Sequence, residues 1–302
     1  MNEKIIEDIK RLKKEKKAVI LVHNYQIPEV QDIADYLGDS LELSLTASKT
    51  EAKIIVFCGV KFMAETAAIV CPDKKVLLPD INSGCPMADM VRPEELIELK
   101  KKHPKAIVVC YVNTSADVKA ESDVCCTSAN SVKIVNSISH DKEIIFIPDK
   151  CLADYTAHKT QRKLIIWQGY CPVHLKITAD DIMSQKKKYP GSAAIVHPEC
   201  EPEVIDVADE VGSTSGIIKF ARESKAQKII IGTEIGIIYR LKKENPHKEF
   251  YPASDKAVCL DMKLATLKKI LWSLENEKNE IKIEEGVRKK AFSSVKRMLE
   301  TK

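Results

Sequence analysis

One pattern of strands and helices occurs three times along the chain, and each copy ends at a cysteine. The three cysteines are Cys85, Cys171 and Cys259, which lie 86 and 88 residues apart. A fixed period of this kind constrains the fold of every copy at once, so it is more informative than composition. The sequence therefore predicts three domains of similar structure.

The copies agree in their internal order. Each begins with an apolar strand that ends in polar residues, at 19–25, 107–113 and 194–199. Each strand is followed by an Asp and then, five positions later, by a residue with a hydroxyl group. The three pairs are Asp35 with Ser40, Asp123 with Ser128, and Asp209 with Thr214. Two further strands alternate with helices, a pattern typical of parallel sheets. We predict an α/β protein of three similar α/β/α domains with parallel sheets, arranged with pseudo-threefold symmetry around a central active site.

The repeat also predicts where the domains begin and end. We place the three repeats at 1–84, 85–170 and 171–260. Residues 261–302 lie outside the repeat and carry the apolar spacing of amphipathic helices. We expect this helical tail to pack on the first domain.

Composition excludes several classes of protein. The 48 basic and 44 acidic residues nearly balance, and basic runs lack the interleaved aromatic residues typical of single-strand nucleic-acid binding. No window reaches the roughly 20 apolar residues of a membrane span, and the first residues resemble neither a signal nor a transit peptide. Ten cysteines in such a chain indicate a reducing compartment, so we predict a cytoplasmic protein that binds neither nucleic acid nor membrane.

The cysteines divide into two groups. Cys58, Cys71, Cys110, Cys125 and Cys151 lie within predicted strands or helices, where a thiol is usually a small buried hydrophobe. The other group is the three loop cysteines at matching repeat positions. Three thiolates that converge on one point suit a 4Fe-4S cluster with one open iron. Zinc is the alternative metal, but structural zinc sites normally show closely spaced pairs of ligands, and the chain has no Cys-x-x-Cys.

Hydroxyl side chains form a second set of candidates. Ser40, Ser128, and Ser213 or Thr214 each precede a predicted helix, and helix N-termini bind anions. The alternative is ordinary helix capping. If the three N-termini face one axis, together they could bind a substrate with several carboxylates or phosphates.

The ends of the first strands form a third set. His23 and His197 occupy equivalent positions in two repeats, and Tyr111 and Glu199 belong to the same strand ends. An imidazole, a phenol and a carboxylate can transfer protons at neutral pH. His174, three residues after Cys171, could either take part or only support the cysteine loop.

Many short motifs of the chain resemble those of the quinolinate synthase family, in family order. They include His-Asn-Tyr-Gln (23–26), Cys-Pro-Met-Ala (85–88), Tyr-Val-Asn (111–113), Cys-Thr-Ser-Ala-Asn (126–130), Cys-Pro-Val-His (171–174), His-Pro-Glu-Cys (197–200), Gly-Ser-Thr (212–214), Gly-Thr-Glu-Ile-Gly (232–236) and Ala-Val-Cys (257–259). The resemblance runs from about residue 18 to the last helix.

The resemblance implies a reaction and a set of partners. Iminoaspartate would condense with dihydroxyacetone phosphate, losing phosphate and water, to give quinolinate for de novo NAD biosynthesis. An aspartate oxidase or an aspartate dehydrogenase would supply the iminoaspartate. The 4Fe-4S cluster would be bound by Cys85, Cys171 and Cys259, and its open iron would act as a Lewis acid.

The resemblance also implies residue roles. Tyr111, Glu199 and His23 would be the candidates for proton transfer. Substrate groups would be bound by His23, Tyr25, Ser40, Asn113, Ser128, His197, Ser213 and Thr214.

Two other functions fit parts of the pattern. Another open-cluster hydro-lyase acting on a small carboxylic acid would use the same cysteines, but it would not need dihydroxyacetone phosphate. A cluster-bearing redox sensor should carry a basic recognition helix or a polar switch segment, and the sequence shows neither.

Overall fold

The structure, a computed structural model, describes residues 2–301. Three four-stranded sheets with helices packed against them confirm the predicted α/β class with three similar domains. The strands are β1 (Ala18–His23), β2 (Tyr36–Gly38), β3 (Ile54–Cys58), β4 (Lys75–Leu77), β5 (Ile107–Tyr111), β6 (Val124–Cys126), β7 (Ile144–Ile147), β8 (Ile165–Ile166), β9 (Ala193–Val196), β10 (Glu210–Val211), β11 (Lys228–Gly232) and β12 (Glu249–Pro252).

Helices connect the strands. They are α1 (Asn2–Glu15), α2 (Pro28–Gln31), α3 (Ser40–Lys49), α4 (Lys61–Val70), α5 (Pro93–Lys102), α6 (Ala116–Ala120), α7 (Ser131–Asn136), α8 (Lys150–Thr160), α9 (Ala179–Lys188), α10 (Pro202–Asp206), α11 (Thr214–Glu223), α12 (Ile237–Glu244), α13 (Leu267–Asn276) and α14 (Glu285–Glu300). Short 3-10 turns lie at Ala88–Met90, His174–Lys176 and Asp261–Leu264.

The three sheets share one strand order. The orders are β2-β1-β3-β4, β6-β5-β7-β8 and β10-β9-β11-β12. In the first sheet β1 pairs in parallel with both β2 and β3, and in the third β9 pairs in parallel with both β10 and β11. The first strand of each repeat is therefore central, and ligands of such sheets bind where central strands end.

The chain forms two compact units. Unit 1 contains Met1–Pro104, Val112–Cys125 and Leu260–Lys302. Its core joins the apolar faces of α1 and α13 to the first sheet, as Ile9 and Ile270 pack with Val22 and Val56. The last helix, α14, packs on α4 and α6 of the same unit.

Unit 2 contains Lys105–Tyr111 and Cys126–Cys259. In one core cluster of this unit, Val196 of β9 and Ile230 of β11 pack against Ile182 of α9 and Val204 of α10. The domain boundaries at 84, 170 and 260 stay a prediction.

The repeated Asp has a structural role that the sequence did not reveal. Asp35 Oδ2 accepts the backbone N–H of Ile20 at 2.8 Å, and Asp209 Oδ2 accepts that of Ala194 at 2.7 Å. Each Asp precedes a short edge strand, β2 or β10, that we did not predict. These strands have only two or three residues, too few to show alternation.

Within residues 2–301, no helix combines the length and the apolar character needed to cross a membrane.

Candidate functional site

The three cysteine loops are anchored in the same way. In every repeat the backbone N–H of the third residue after β3, β7 or β11 donates to the carbonyl oxygen two residues before the cysteine. The pairs are Lys61 to Ser83 at 2.8 Å, Lys150 to Gly169 at 2.8 Å, and Ile235 to Ala257 at 3.0 Å. Each loop therefore holds its cysteine at an equivalent place beyond the last strand of its own repeat, β4, β8 or β12.

Exposure separates the loop cysteines from the rest. Cys85, Cys171 and Cys259 are partly exposed, whereas the other seven cysteines are buried. This confirms the burial predicted for Cys58, Cys71, Cys110, Cys125 and Cys151. Burial raises the pKa of Cys71 to about 11 and that of Cys151 to about 12. A thiol with so high a pKa stays protonated and is a poor metal ligand. The donors available for a thiolate-bound cluster are thus the three loop cysteines, so the residues present fit that cofactor.

Unit 2 brings a phenol and a carboxylate together beside Cys171. Tyr111 ends β5 and Glu199 follows β9, and both side chains are buried. Tyr111 Oη donates to Glu199 Oε1 at 2.5 Å. Burial alone would raise the pKa of Glu199. The neighbouring His174 and His197 and the hydrogen bond from Tyr111 outweigh burial and lower that pKa to about 2, so the carboxylate is ionised at neutral pH.

His174 bridges this carboxylate and a hydroxyl. Its Nδ1 lies 2.8 Å from Glu199 Oε2, and its Nε2 lies 2.9 Å from Thr233 Oγ1. Although the Nδ1 contact is short, it does not have the geometry of a hydrogen bond, and the two side chains interact electrostatically. The sequence left the role of His174 open, and the structure places it against Glu199.

His197 is held as a neutral imidazole. Its Nδ1 accepts the backbone N–H of Glu199 at 3.2 Å, which leaves the ring proton on Nε2, 3.1 Å from Ser128 Oγ. Burial lowers the pKa of His197 to about 3, the nearby His174 lowers it too, and Glu199 opposes both. The rings of His174 and His197 stack with centroids 4.8 Å apart. The buried side chains of His197, Glu199 and Tyr111, with the half-buried Ser128 beside His197, therefore form one cluster, which we call the buried polar cluster.

The side chains around Cys171 could also hold a metal ion. The ligand atoms of Cys171, His174 and Glu199 lie within 4.8 Å of one another. Sulfur, imidazole nitrogen and carboxylate oxygen are all ligands of transition metals. The Glu199 oxygens, however, already contact Tyr111 and His174, which leaves the Cys171 sulfur as the donor for a cluster.

Unit 1 repeats one element of this arrangement. His23 ends β1, and its Nδ1 accepts the backbone N–H of Tyr25 at 3.1 Å. His197 makes the same contact with Glu199, two residues later in its own repeat. His23 and Tyr25 are both buried, with their rings edge to face at 4.6 Å. The equivalence of the two histidines is thus a feature of the fold.

The predicted hydroxyl residues differ in their contacts. Ser213 caps α11, since its Oγ accepts the backbone N–H of Gly216 at 3.2 Å, and Thr214 begins that helix. Asp39 caps α3 instead of Ser40, which is the first helical residue. Ser128 lies in the turn before α7 and contacts His197. Ordinary capping, the alternative to anion binding, therefore describes Ser213 but not Ser40 or Ser128.

Asn113 follows β5 and belongs to unit 1. Its Oδ1 is shielded from solvent and makes no hydrogen bond within the described part of the chain. A buried carbonyl oxygen without a donor is costly, so this atom is suited to bind a ligand.

Sequence reasoning missed two acids of unit 2. Asp149 and Glu234 are both 0% exposed, and they follow β7 and β11, the third strands of their repeats. Burial, and then the charge of Glu199, raise the pKa of Asp149 well above its usual range. Their matching positions in two repeats were the available signal, but Val60 breaks the pattern in the first repeat.

Comparison with known proteins agrees with this arrangement. The sequence profile of the NadA family, quinolinate synthetase A protein, matches residues 7–300. The chain is 54% identical over 297 residues to a quinolinate synthase of Dehalococcoides mccartyi (strain CBDB1), covering 98% of each chain. It is 53% identical over 304 residues to that of Alkaliphilus metalliredigens (strain QYMF), covering 100% of each. It is 54% identical over 293 residues to that of Methanoregula boonei, covering 97% of each. The chain belongs to the quinolinate synthetase A protein family.

Proposed function

We propose that this protein is a quinolinate synthase of de novo NAD biosynthesis. It condenses iminoaspartate with dihydroxyacetone phosphate and releases phosphate and water. An aspartate oxidase or an aspartate dehydrogenase supplies the iminoaspartate. The reaction takes place in the cytoplasm, where a reducing environment keeps the thiols available.

The recurrence of one cysteine loop in each repeat carries this proposal. All three loops have the same backbone anchor, and their cysteines are the partly exposed ones of the ten. Together with family membership over almost the whole chain, this supports a 4Fe-4S cluster bound by Cys85, Cys171 and Cys259. A cluster with three protein ligands supplies one iron that can act as a Lewis acid toward a substrate oxygen.

The buried polar cluster of unit 2 supports the assignment of proton transfers. Glu199, with a pKa of about 2, is a weak base, although the sequence favoured it as a general base. We assign it to hold the Tyr111 phenol, whose Oη donates to it. Tyr111 then exchanges protons with the reacting atoms. Nδ1 of His23 accepts the backbone N–H of Tyr25. Its other ring nitrogen, Nε2, is therefore the second group, after the Tyr111 phenol, that we assign to proton transfer.

We assign substrate binding to polar groups that lie near the ends of strands and the starts of helices. The substrates bring two carboxylates and one phosphate. We assign them to the following residues: His23, Tyr25, Ser40, Asn113, Ser128, His197, Ser213 and Thr214. Among these, Ser213 lies at the N-terminus of a ten-residue helix, where the partial positive charge of the helix favours an anion. Asn113 offers Oδ1 to a donor of the substrate.

Product analysis tests the proposed reaction. Protein purified without oxygen and supplied with both substrates should form quinolinate and release phosphate in equal amounts, measured by chromatography and a phosphate assay. Omitting dihydroxyacetone phosphate should abolish quinolinate. Formation of a hydrated or dehydrated small acid from a single substrate would instead identify the alternative hydro-lyase.

A further inference from the structure

The loop of Cys259 closes over a buried acid to which the proposed reaction assigns no role. Glu234 is 0% exposed. Its Oε1 accepts the backbone N–H of Cys259 at 3.1 Å, and its Oε2 accepts that of Gly236 at 2.7 Å. One carboxylate therefore joins the cysteine to the turn that follows β11.

The loop of Cys171 is built in a similar way. Asp149 is also 0% exposed. Its Oδ1 accepts the backbone N–H of Leu152 at 2.6 Å, and the backbone N–H groups of Cys171 and Cys151 are near enough to oppose the rise of its pKa. Asp149 and Glu234 occupy equivalent positions, because the residue after each donates its N–H to the carbonyl two residues before the cysteine.

The first repeat shows that the backbone anchor does not need an acid. Val60 occupies the equivalent position there, and the hydrogen bond from Lys61 to Ser83 still forms. Burying a carboxylate costs free energy unless its interactions compensate for the lost water. The acids of the second and third repeats therefore serve something other than the anchor itself.

We propose that Glu234 and Asp149 are positioning residues for the metal ligands Cys259 and Cys171. This inference rests on the cluster of the proposed function. Glu234 accepts the backbone N–H of Cys259, and the Asp149 carboxyl group lies near the backbone N–H of Cys171. Each acid therefore restricts the backbone of its cysteine and, with it, the direction of the Cα–Cβ bond that carries the sulfur. Residues that orient ligands from outside the ligand shell typically change metal affinity about 10- to 100-fold when mutated.

A buried negative charge near a ligand has a second effect. It disfavours the extra electron of a reduced cluster, since cluster potentials depend on net charge and on hydrogen bonds around the site. Removing the charge of Glu234 should therefore raise the reduction potential. A residue that only stabilised the fold would leave that potential unchanged.

The experiment compares iron release from three variants loaded with cluster under anaerobic conditions. Glu234→Gln keeps the size of the side chain and removes its charge, and Asp149→Asn keeps the size of the side chain and replaces one carboxyl oxygen with an amide nitrogen. Glu65→Gln is the matched control, because Glu65 is also buried and accepts a backbone N–H, from Ala116 at 3.0 Å, but lies outside the cysteine loops. We expect Glu234→Gln and Asp149→Asn to release iron to a chelator about 10-fold faster than wild type. Glu65→Gln should release it at the wild-type rate.

Two outcomes separate this inference from the proposed function. Wild-type iron release and an unchanged reduction potential in both loop variants, with iron lost from Cys259→Ala, would overturn the inference and leave the cluster in place. Full iron in Cys259→Ala would overturn the proposed cluster ligands themselves. If Glu234→Gln does not fold, Glu234→Asp replaces it, since it keeps the charge but moves it away from Cys259, and the same faster release is expected.

Discussion

The Glu199 carboxylate keeps its charge in a place where burial alone would remove it. Tyr111 donates to one of its oxygens and His174 contacts the other. Two more imidazole contacts, from His197 to Ser128 and to the backbone of Glu199, complete the buried polar cluster. Hydrogen bonds therefore hold the Tyr111 phenol against Glu199 and keep the ring of His197 in one orientation.

Replacing the carboxylate tests its role in turnover. Glu199→Gln should bind a full complement of iron but lose about 10² or more in kcat, because the phenol of Tyr111 loses its charged acceptor. Steady-state quinolinate formation measures the loss. Glu249→Gln is the matched control, since Tyr251 donates to Glu249 on the exposed surface. If Glu199→Gln turned over at nearly the wild-type rate, Glu199 would have no role in proton transfer, and His23 would be the next residue to test.

The buried imidazole of His197 makes folding sensitive to acid. Its pKa falls from 6.5 to about 3, chiefly because of burial, so the unfolded chain takes up a proton before the folded protein does. Stability should therefore decrease as pH falls from about 6.5 toward 3, by at most about 1.4 kcal/mol per pH unit from this group. Urea unfolding at pH 7, 6 and 5 should show a shallower decrease in His197→Asn. The exposed His247→Asn is the control, and equal slopes in both variants would contradict this assignment.

At the scale of elements, β9 and β11 place His197 through a close backbone approach. Gly232 lies beside Val196 in the parallel register, and its carbonyl oxygen accepts the backbone N–H of His197 at 2.9 Å. A Cβ at Gly232 would stand 2.5 Å from Val196 Cγ1. The absence of a side chain at position 232 is therefore what lets the two strands meet.

Adding a methyl group at position 232 should destabilise the folded protein. Gly232→Ala should lower the free energy of unfolding by about 1–3 kcal/mol through overpacking, as measured by urea denaturation. Gly216→Ala is the control, because its Cβ would lie 3.5 Å from Ser213 Oγ, an ordinary contact. Equal stability of Gly232→Ala and wild type would mean that β9 and β11 can move apart without cost.

The sequence predicted the long elements well and the short ones poorly. Apolar runs such as Ile54–Cys58 and Ile144–Ile147 were visible because nearly every residue of a buried parallel strand is hydrophobic. The edge strand Glu210–Val211 has too little apolar surface to show a pattern. Similarly, Ser40 looked like a helix cap, but the neighbouring Asp39 accepts the N–H groups of Leu41 and Glu42. Both Asp39 and Ser40 are residue types that cap helices, and only the hydrogen bonds in the structure show that Asp39 is the cap.

The sequence indicated which residues to consider for the candidate site, but it did not indicate which of them contact one another. Spacing identified His197 and Glu199, since they follow a strand of the repeat. The contact of His174 with Glu199 joins positions 25 residues apart, and nothing in the local sequence encodes such a distance. Asp149 was missed because its role depends on burial and on the return of the chain at Cys171.

At the scale of the whole molecule, three repeats use one architecture for different purposes. All have the same strand order and the same anchor for the cysteine loop. The ends of their first strands differ, with His23 and Tyr25 in one, Tyr111 and Asn113 in the next, and His197 and Glu199 in the third. A repeated scaffold can thus supply the same cysteine loop three times while its strand ends supply different polar groups.

The iron content of single cysteine variants tests the central claim most directly. Protein purified without oxygen should carry about four irons per chain, and Cys85→Ala, Cys171→Ala and Cys259→Ala should each lose most of them. Cys58→Ala should keep them, since Cys58 is buried in β3. A wild-type protein that binds zinc and no iron, or full iron in any of the three loop variants, would contradict the account.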